Sequence, residues 1–182
     1  GSMLLAQNRA DVVLCGAVDF ALVAPIVAGF ATMGGAFVPK EGQPEEAPET
    51  VSRPFAAHRR GFVISEGAGC ILLASEEFAR AHGLAFSIAI AGWSMTSDAH
   101  HFVAPHLDTV RRCIQESIQQ AGIAPGDVDA VNAHAAATRV GDKVLSWCDQ
   151  NRTAACGQNR NITSALLPDE AVSVVLPCFS GG

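Results

Sequence analysis

Apolar residues along this chain fall into short blocks broken by glycine, proline and charge. Residues 11–18 run through Val12, Val13, Leu14, Cys15 and Val18 with Gly16 inside, which predicts a strand covered on both faces. Residues 20–38 are apolar and glycine-rich, with Pro25 and the Gly34-Gly35 pair, and read as a short helix followed by a loop. Residues 69–74 predict a second covered strand. Ser75 is then placed to cap a helix from Glu76 to His82, with Gly83 as its stop. Residues 85–92 predict a third strand.

The strongest helical period follows. Asp108 is expected to cap a helix with Val110, Cys113, Ile114, Ser117, Ile118 and Ala121 on one face. Arg111, Arg112, Glu116 and Gln120 fall on the other. Gly122 ends that helix, Pro125-Gly126-Asp127 makes a turn, and residues 128–133 predict a fourth strand leading into His134. Strands alternating with helices indicate a layered α/β fold. No internal repeat is evident.

Two regions break the alternation. Residues 40–50 hold four acidic residues with Pro44 and Pro48, and read as a solvated surface loop. After Val144 the chain turns polar and loses its period, until residues 171–176 recover one apolar, strand-like run. The expected organisation is one partial domain over residues 3–182, with 145–182 as a divergent or shortened tail. Gly1-Ser2 reads as an expression scar before Met3.

Composition narrows the function classes. Of the 182 residues, 49% are apolar and 16% charged, which suits a chain that buries much surface, in its own core or against a partner. A net charge of −6 argues against nucleic acid, whose phosphates need a basic face. No apolar run is long enough for a membrane span, and no secretory signal is visible, so a cytoplasmic setting is expected. The six cysteines, Cys15, Cys70, Cys113, Cys148, Cys156 and Cys178, are irregularly spaced without a C-x-x-C pair. Neither disulfides nor zinc is expected; the first three read as small hydrophobes. His100, His101 and His106 crowd one loop, read as a surface or channel loop rather than a metal site.

Four segments, in order, resemble the β-ketoacyl synthases that act on acyl carrier protein. They are residues 10–19, ADVVLCGAVD; residues 52–69, SRPFAAHRRGFVISEGAG; residues 95–106, MTSDAHHFVAPH; and residues 131–143, VNAHAAATRVGDK. The last is similar to the family's N-A-H-G-T-S-T-x-x-G-D-K loop. The resemblance implies a thiolase-type fold of duplicated α/β layers. This chain would carry the end of the first half and part of the second.

The resemblance also implies a chemistry. Decarboxylative condensation needs a thiolate to carry the acyl chain and donors to polarise the malonyl thioester. The family supplies a cysteine at a helix start, two histidines and a lysine, with no cofactor. Here no cysteine stands in a Ser-rich helix-start context. His134 matches the first histidine, with a backbone-satisfied histidine at a strand end as the equal alternative. Ala135, Ala136 and Ala137 stand where the family has Gly, Thr and Ser, and Leu145 where it usually has Glu. In residues 159–167, Asn159 is kept, Arg160 replaces the lysine and Ala165 the second histidine. Phe179 resembles the family's gate loop. Glu66 and Thr138 are expected to hold loops near the site, and Asp142 and Lys143 to form a local ion pair fixing the His134 loop.

Three functions compete. One is a degraded, non-catalytic partner of the chain-length-factor type, shaping the acyl tunnel beside a catalytic ketosynthase. Another is a fragment of an active synthase completed by another chain. The third is a stand-alone acyl-binding module. The first is preferred, with acyl carrier protein and a ketosynthase, or the missing N-terminal half, as partners.

Overall fold

The computed structural model describes residues 1–42, 46–101, 104–129, 131–150 and 172–173. Asn159, Arg160, Ala165 and Phe179 lie outside the described residues.

The elements run α1 (Ser2–Ala6), β1 (Val12–Asp19), α2 (Ala24–Met33), α3 (Pro48–Val51), β2 (Gly67–Ala74), α4 (Glu76–Ala81), β3 (Ala89–Ile90), α5 (Leu107–Ala121), α6 (Arg139–Gln150) and β4 (Val172–Ser173). β1 and β2 form an antiparallel ribbon in register from Val12 opposite Ala74 to Asp19 opposite Gly67. β3 and β4 pair in parallel over two residues each. This is an α/β arrangement, the class that the alternation of strands and helices predicts.

Local signals account for several boundaries. Pro25 sits in the first turn of α2, where a missing N–H costs nothing, and Gly34 closes the helix at φ 76°. Ser75 Oγ accepts from the Phe78 N–H at 3.2 Å, which caps α4, and Gly83 follows at φ 63°. α5 buries Val110, Cys113, Ser117 and Ile118, the face that its period predicts. Pro125–Asp127 is a single 3-10 turn, with Asp127 Oδ2 accepting from the Ala124 N–H at 2.8 Å.

Other expectations are corrected. β1 and β2 are not covered on both faces: Leu14 is 69% exposed and Val18 77%. Among the described residues each strand has one neighbour in a two-stranded ribbon, so apolar composition alone does not cover its faces. Cys70 is accordingly exposed and Cys15 half-buried, whereas Cys113 is buried. The third strand shrinks to Ala89–Ile90, the stretch that finds a partner in β4. Residues 128, 129 and 131–133 form no strand, and among the described residues none pairs with them. Helix α5 starts two residues early, with His106 rather than Asp108 at the cap position. Asp108 therefore lies within the first turn, where its charge favours the helix dipole rather than capping it.

The core sits where α5 meets residues 92–94 and α6. Gly92 lies against the backbone of Ser117 and Ala121. Ser94 Oγ donates to Glu116 Oε2 at 2.7 Å, and Gln120 Oε1 accepts from the Trp93 N–H. Glu116 and Gln120, on the polar face of α5, thus hold the preceding segment. Among the described residues, no helix is long and apolar enough to cross a membrane.

Candidate functional site

The segment 52–69 lies between two other parts of the chain. On one side it meets the loop after α2. The Phe62 N–H donates to Gly35 O at 3.1 Å, and the Phe37 N–H to Phe62 O at 2.8 Å. The Phe62 ring stands edge-on to Phe30 at 5.3 Å. Gly61 has φ 114°, and a Cβ there would lie 2.8 Å from the Ala36 carbonyl carbon. Only glycine fits this close approach. Gly35 therefore receives the backbone at Phe62.

On its other side the segment meets the start of α6. The Gly61 N–H donates to Ala137 O at 3.0 Å. Arg59 Nε donates to Thr138 O at 2.9 Å, and Arg59 Nη2 to Arg139 O at 2.8 Å. Three successive carbonyls are thus bound by one short loop. Arg59 Nη1 also donates to Ala56 O at 3.0 Å, bracing its own turn. In return, Asp142 Oδ2 accepts from the Phe55 N–H at 2.8 Å and lies 3.4 Å from Arg59 Nε. Phe55 and Ala137 both take left-handed backbone angles, φ 64° and 61°. Such angles disfavour residues with a side chain and persist where surrounding contacts hold them.

This geometry revises the role expected of Asp142. The residue is buried, at 1% exposure, and its ion pair is with Arg59 rather than Lys143. Lys143 is exposed. One helical residue on, the side chain points to a different side of α6, so neighbours in sequence do not face each other. Thr138 Oγ1 accepts from the Gly141 N–H at 3.2 Å, the geometry of a helix N-cap.

His134 lies in the irregular segment four residues before that cap. It is exposed, and among the described residues no hydrogen bond or ion pair reaches its side chain. Glu66 stands elsewhere, immediately before β2. Its Oε1 accepts from the Leu22 N–H at 2.9 Å, holding the backbone that leads into α2.

Two charged features were not singled out from sequence. Arg59 lies inside a motif, beside His58 and Arg60, and its acceptors at Thr138 and Arg139 are far along the chain, so no local signal sets it apart. The acidic loop at 40–50 is not wholly solvated. Glu46 binds Arg53 at 2.7 Å and also Arg60, which stacks over the Phe37 ring at 4.8 Å. Partial desolvation works against the Glu46 charge, but the hydrogen bonds from Arg60 and Arg53 outweigh it and hold the carboxyl below its ordinary range. α3 occupies the end of the same loop and buries Val51.

The histidine loop is organised by Asp98. Its Oδ1 accepts from the His100 N–H at 3.1 Å and its Oδ2 from the His106 N–H at 2.9 Å. Those backbone bonds, the His106 one foremost, lower its pKa. Among the described residues, no group of histidine, cysteine and acidic side chains is placed to hold a metal.

Comparison with known proteins places the sequence and the fold. The model of the β-ketoacyl synthase N-terminal domain matches residues 2–79, and that of its C-terminal domain residues 88–145. The chain is 43% identical over 137 residues to 3-oxoacyl-[acyl-carrier-protein] synthase 2 of Mycobacterium tuberculosis H37Rv, covering 74% of this chain and 32% of that protein. A crystal structure of a β-ketoacyl synthase from Burkholderia phymatum STM815 superposes with a TM-score of 0.74 at 29% identity, covering 82% of this chain and 35% of that one. The ishigamide ketosynthase/chain length factor superposes at 0.69 with 30% identity, covering 81% and 34%. The chain spans about a third of the length of the curated relatives it matches. With both family domains matched in order and the same fold recovered, this chain belongs to the β-ketoacyl synthase family.

Proposed function

We propose that this chain acts in fatty-acid or polyketide synthesis as a non-catalytic, chain-length-factor type of subunit. It shapes an acyl tunnel beside a catalytic ketosynthase that works with acyl carrier protein. The observation that carries this reading is the state of His134. Its imidazole is exposed and unpartnered among the described residues, and Ala135, Ala136 and Ala137 beside it offer no hydroxyl. A carbonyl-polarising histidine needs its tautomer and ring plane fixed by a second group. Arg160 and Ala165, standing where the resemblance places a lysine and a histidine, support the same reading. So does the likeness to a ketosynthase/chain length factor.

In this reading Glu66, Thr138, Asp142, Lys143, Asn159, Arg160 and Phe179 hold loops or line the tunnel, no cofactor takes part, and the setting is cytoplasmic. The ketosynthase partner covers Leu14, Val18 and Leu72 on the open ribbon faces. The test is incubation of the full chain with acyl donor and malonyl-carrier protein. No condensation product and no acyl adduct by intact mass are expected. An acyl adduct on any cysteine would overturn the proposal.

A second reading is favoured by the 43% identity to a 3-oxoacyl-[acyl-carrier-protein] synthase. The chain would then be part of an active synthase whose nucleophile lies on another segment. Co-expression with the first half of such a synthase would restore condensation in this case and leave it absent in the first.

A further inference from the structure

We infer that Arg59 and Asp142 form a positioning latch that fixes where the backbone of His134 stands. The inference rests on the reading of His134 as a residue of the site, and concerns what holds it. His134 lies in an irregular segment, so no helix or sheet ladder orders it. Among the described residues, its nearest anchorage in sequence is the run of carbonyls at Ala137, Thr138 and Arg139. All three are occupied by the loop 59–61: one by the Gly61 N–H and two by the Arg59 guanidinium. Ala137 is buried and held at φ 61°, a conformation its own preferences disfavour.

Asp142 completes the device. It sits one turn into α6, is buried, and faces Arg59 and the Phe55 N–H with one oxygen. The guanidinium therefore bridges a carboxylate and three carbonyls at once, those of Ala56, Thr138 and Arg139. That needs the planar fork of arginine; a lysine ammonium on a single stem cannot span the same acceptors in the same geometry. The latch joins two parts of the chain that are distant in sequence. The segment 52–69 thereby sets the position of a residue it does not touch.

The test is nuclear magnetic resonance on the full chain. Backbone 15N order parameters at His134 and Ala135 are measured in the unmodified protein and in Arg59→Lys, which keeps the charge beside Asp142 but loses the fork. With arginine, His134 is expected near the rigid-backbone value of about 0.85. With lysine it is expected to fall below about 0.6 while α5 stays rigid. A loss of stability alone would not change local order in the folded state. An ordered His134 in folded Arg59→Lys would overturn the latch.

If Arg59→Lys does not fold, the unmodified chain decides. The amides of Phe55 and Gly61, whose acceptors lie on opposite sides of the latch, should open together, with protection within about tenfold of each other. A Gly61 amide exchanging at the rate of an open loop would overturn the inference. An acyl adduct in the condensation assay would remove the non-catalytic reading and leave these measurements untouched. A mobile His134 in both chains would do the reverse.

Discussion

The Leu22 N–H donates to Glu66 Oε1 at 2.9 Å, so a side chain just before β2 fixes the backbone that leads into α2. The bond lies beyond one end of the ribbon, where β1 finishes at Asp19 opposite the start of β2 at Gly67. Glu66 is exposed, so water competes for its carboxylate. Its net contribution should fall at the ordinary level for one hydrogen bond, about 0.5–1.5 kcal/mol. Glu66→Ala is expected to lose that amount in urea denaturation and to speed proteolysis near Leu22. Glu66→Gln, which keeps an acceptor, should lose less.

Asp142 and Lys143 should behave in opposite ways despite their adjacency. Asp142→Ala removes the buried carboxylate that pairs the part-buried Arg59 and accepts from the Phe55 N–H, which is expected to cost about 1–3 kcal/mol. Lys143→Ala, at an exposed position, should stay within about 0.5 kcal/mol. Equilibrium denaturation of the two variants checks the contrast. Equal effects would restore the local Asp142–Lys143 pair in place of the long-range one.

Gly92 marks the closest approach between a loop and α5. A Cβ there would stand 2.6 Å from the Ala121 nitrogen and also against the Ser117 carbonyl, both backbone atoms that cannot swing aside. Gly92→Ala is therefore expected to destabilise the chain by about 1–3 kcal/mol through overpacking. The thermal midpoint of the variant measures it. An unchanged midpoint would mean that α5 is not seated on residues 92–94.

Asp98 gives the histidine loop an acid limit. Its pKa lies below the ordinary 3.8 because the N–H groups of His106 and His100 bind its charged form. A carboxylate depressed on folding contributes stability above its unfolded pKa and loses it as pH falls through the folded value. Loop order should thus persist through neutral pH and decline only on the acid side, below about pH 4. A 13C titration of the Asp98 carboxyl should give a midpoint under 3.8. In Asp98→Asn the acid-side change should disappear.

Local signals were legible where a single stretch of chain decides the outcome. The stripe Val110, Cys113, Ser117 and Ile118 set the buried face of α5, and Ser75 and Gly83 marked the ends of α4. The four family segments, read in order, carried the fold class and the candidate His134. Caps, periods and motifs of this sort involve residues a few positions apart, so their energetics are written in the local sequence.

Tertiary structure alone decided which acceptors Arg59 would reach, that Asp142 would be buried against it, and that the apolar strands β1 and β2 would keep exposed faces. Composition says that a strand can be covered, not that a neighbour exists to cover it. A charge inside a motif does not name a carboxylate 83 positions away, 142 minus 59. Burial and long-range pairing depend on what the rest of the chain brings alongside, and that is a property of the packed molecule rather than of any window within it.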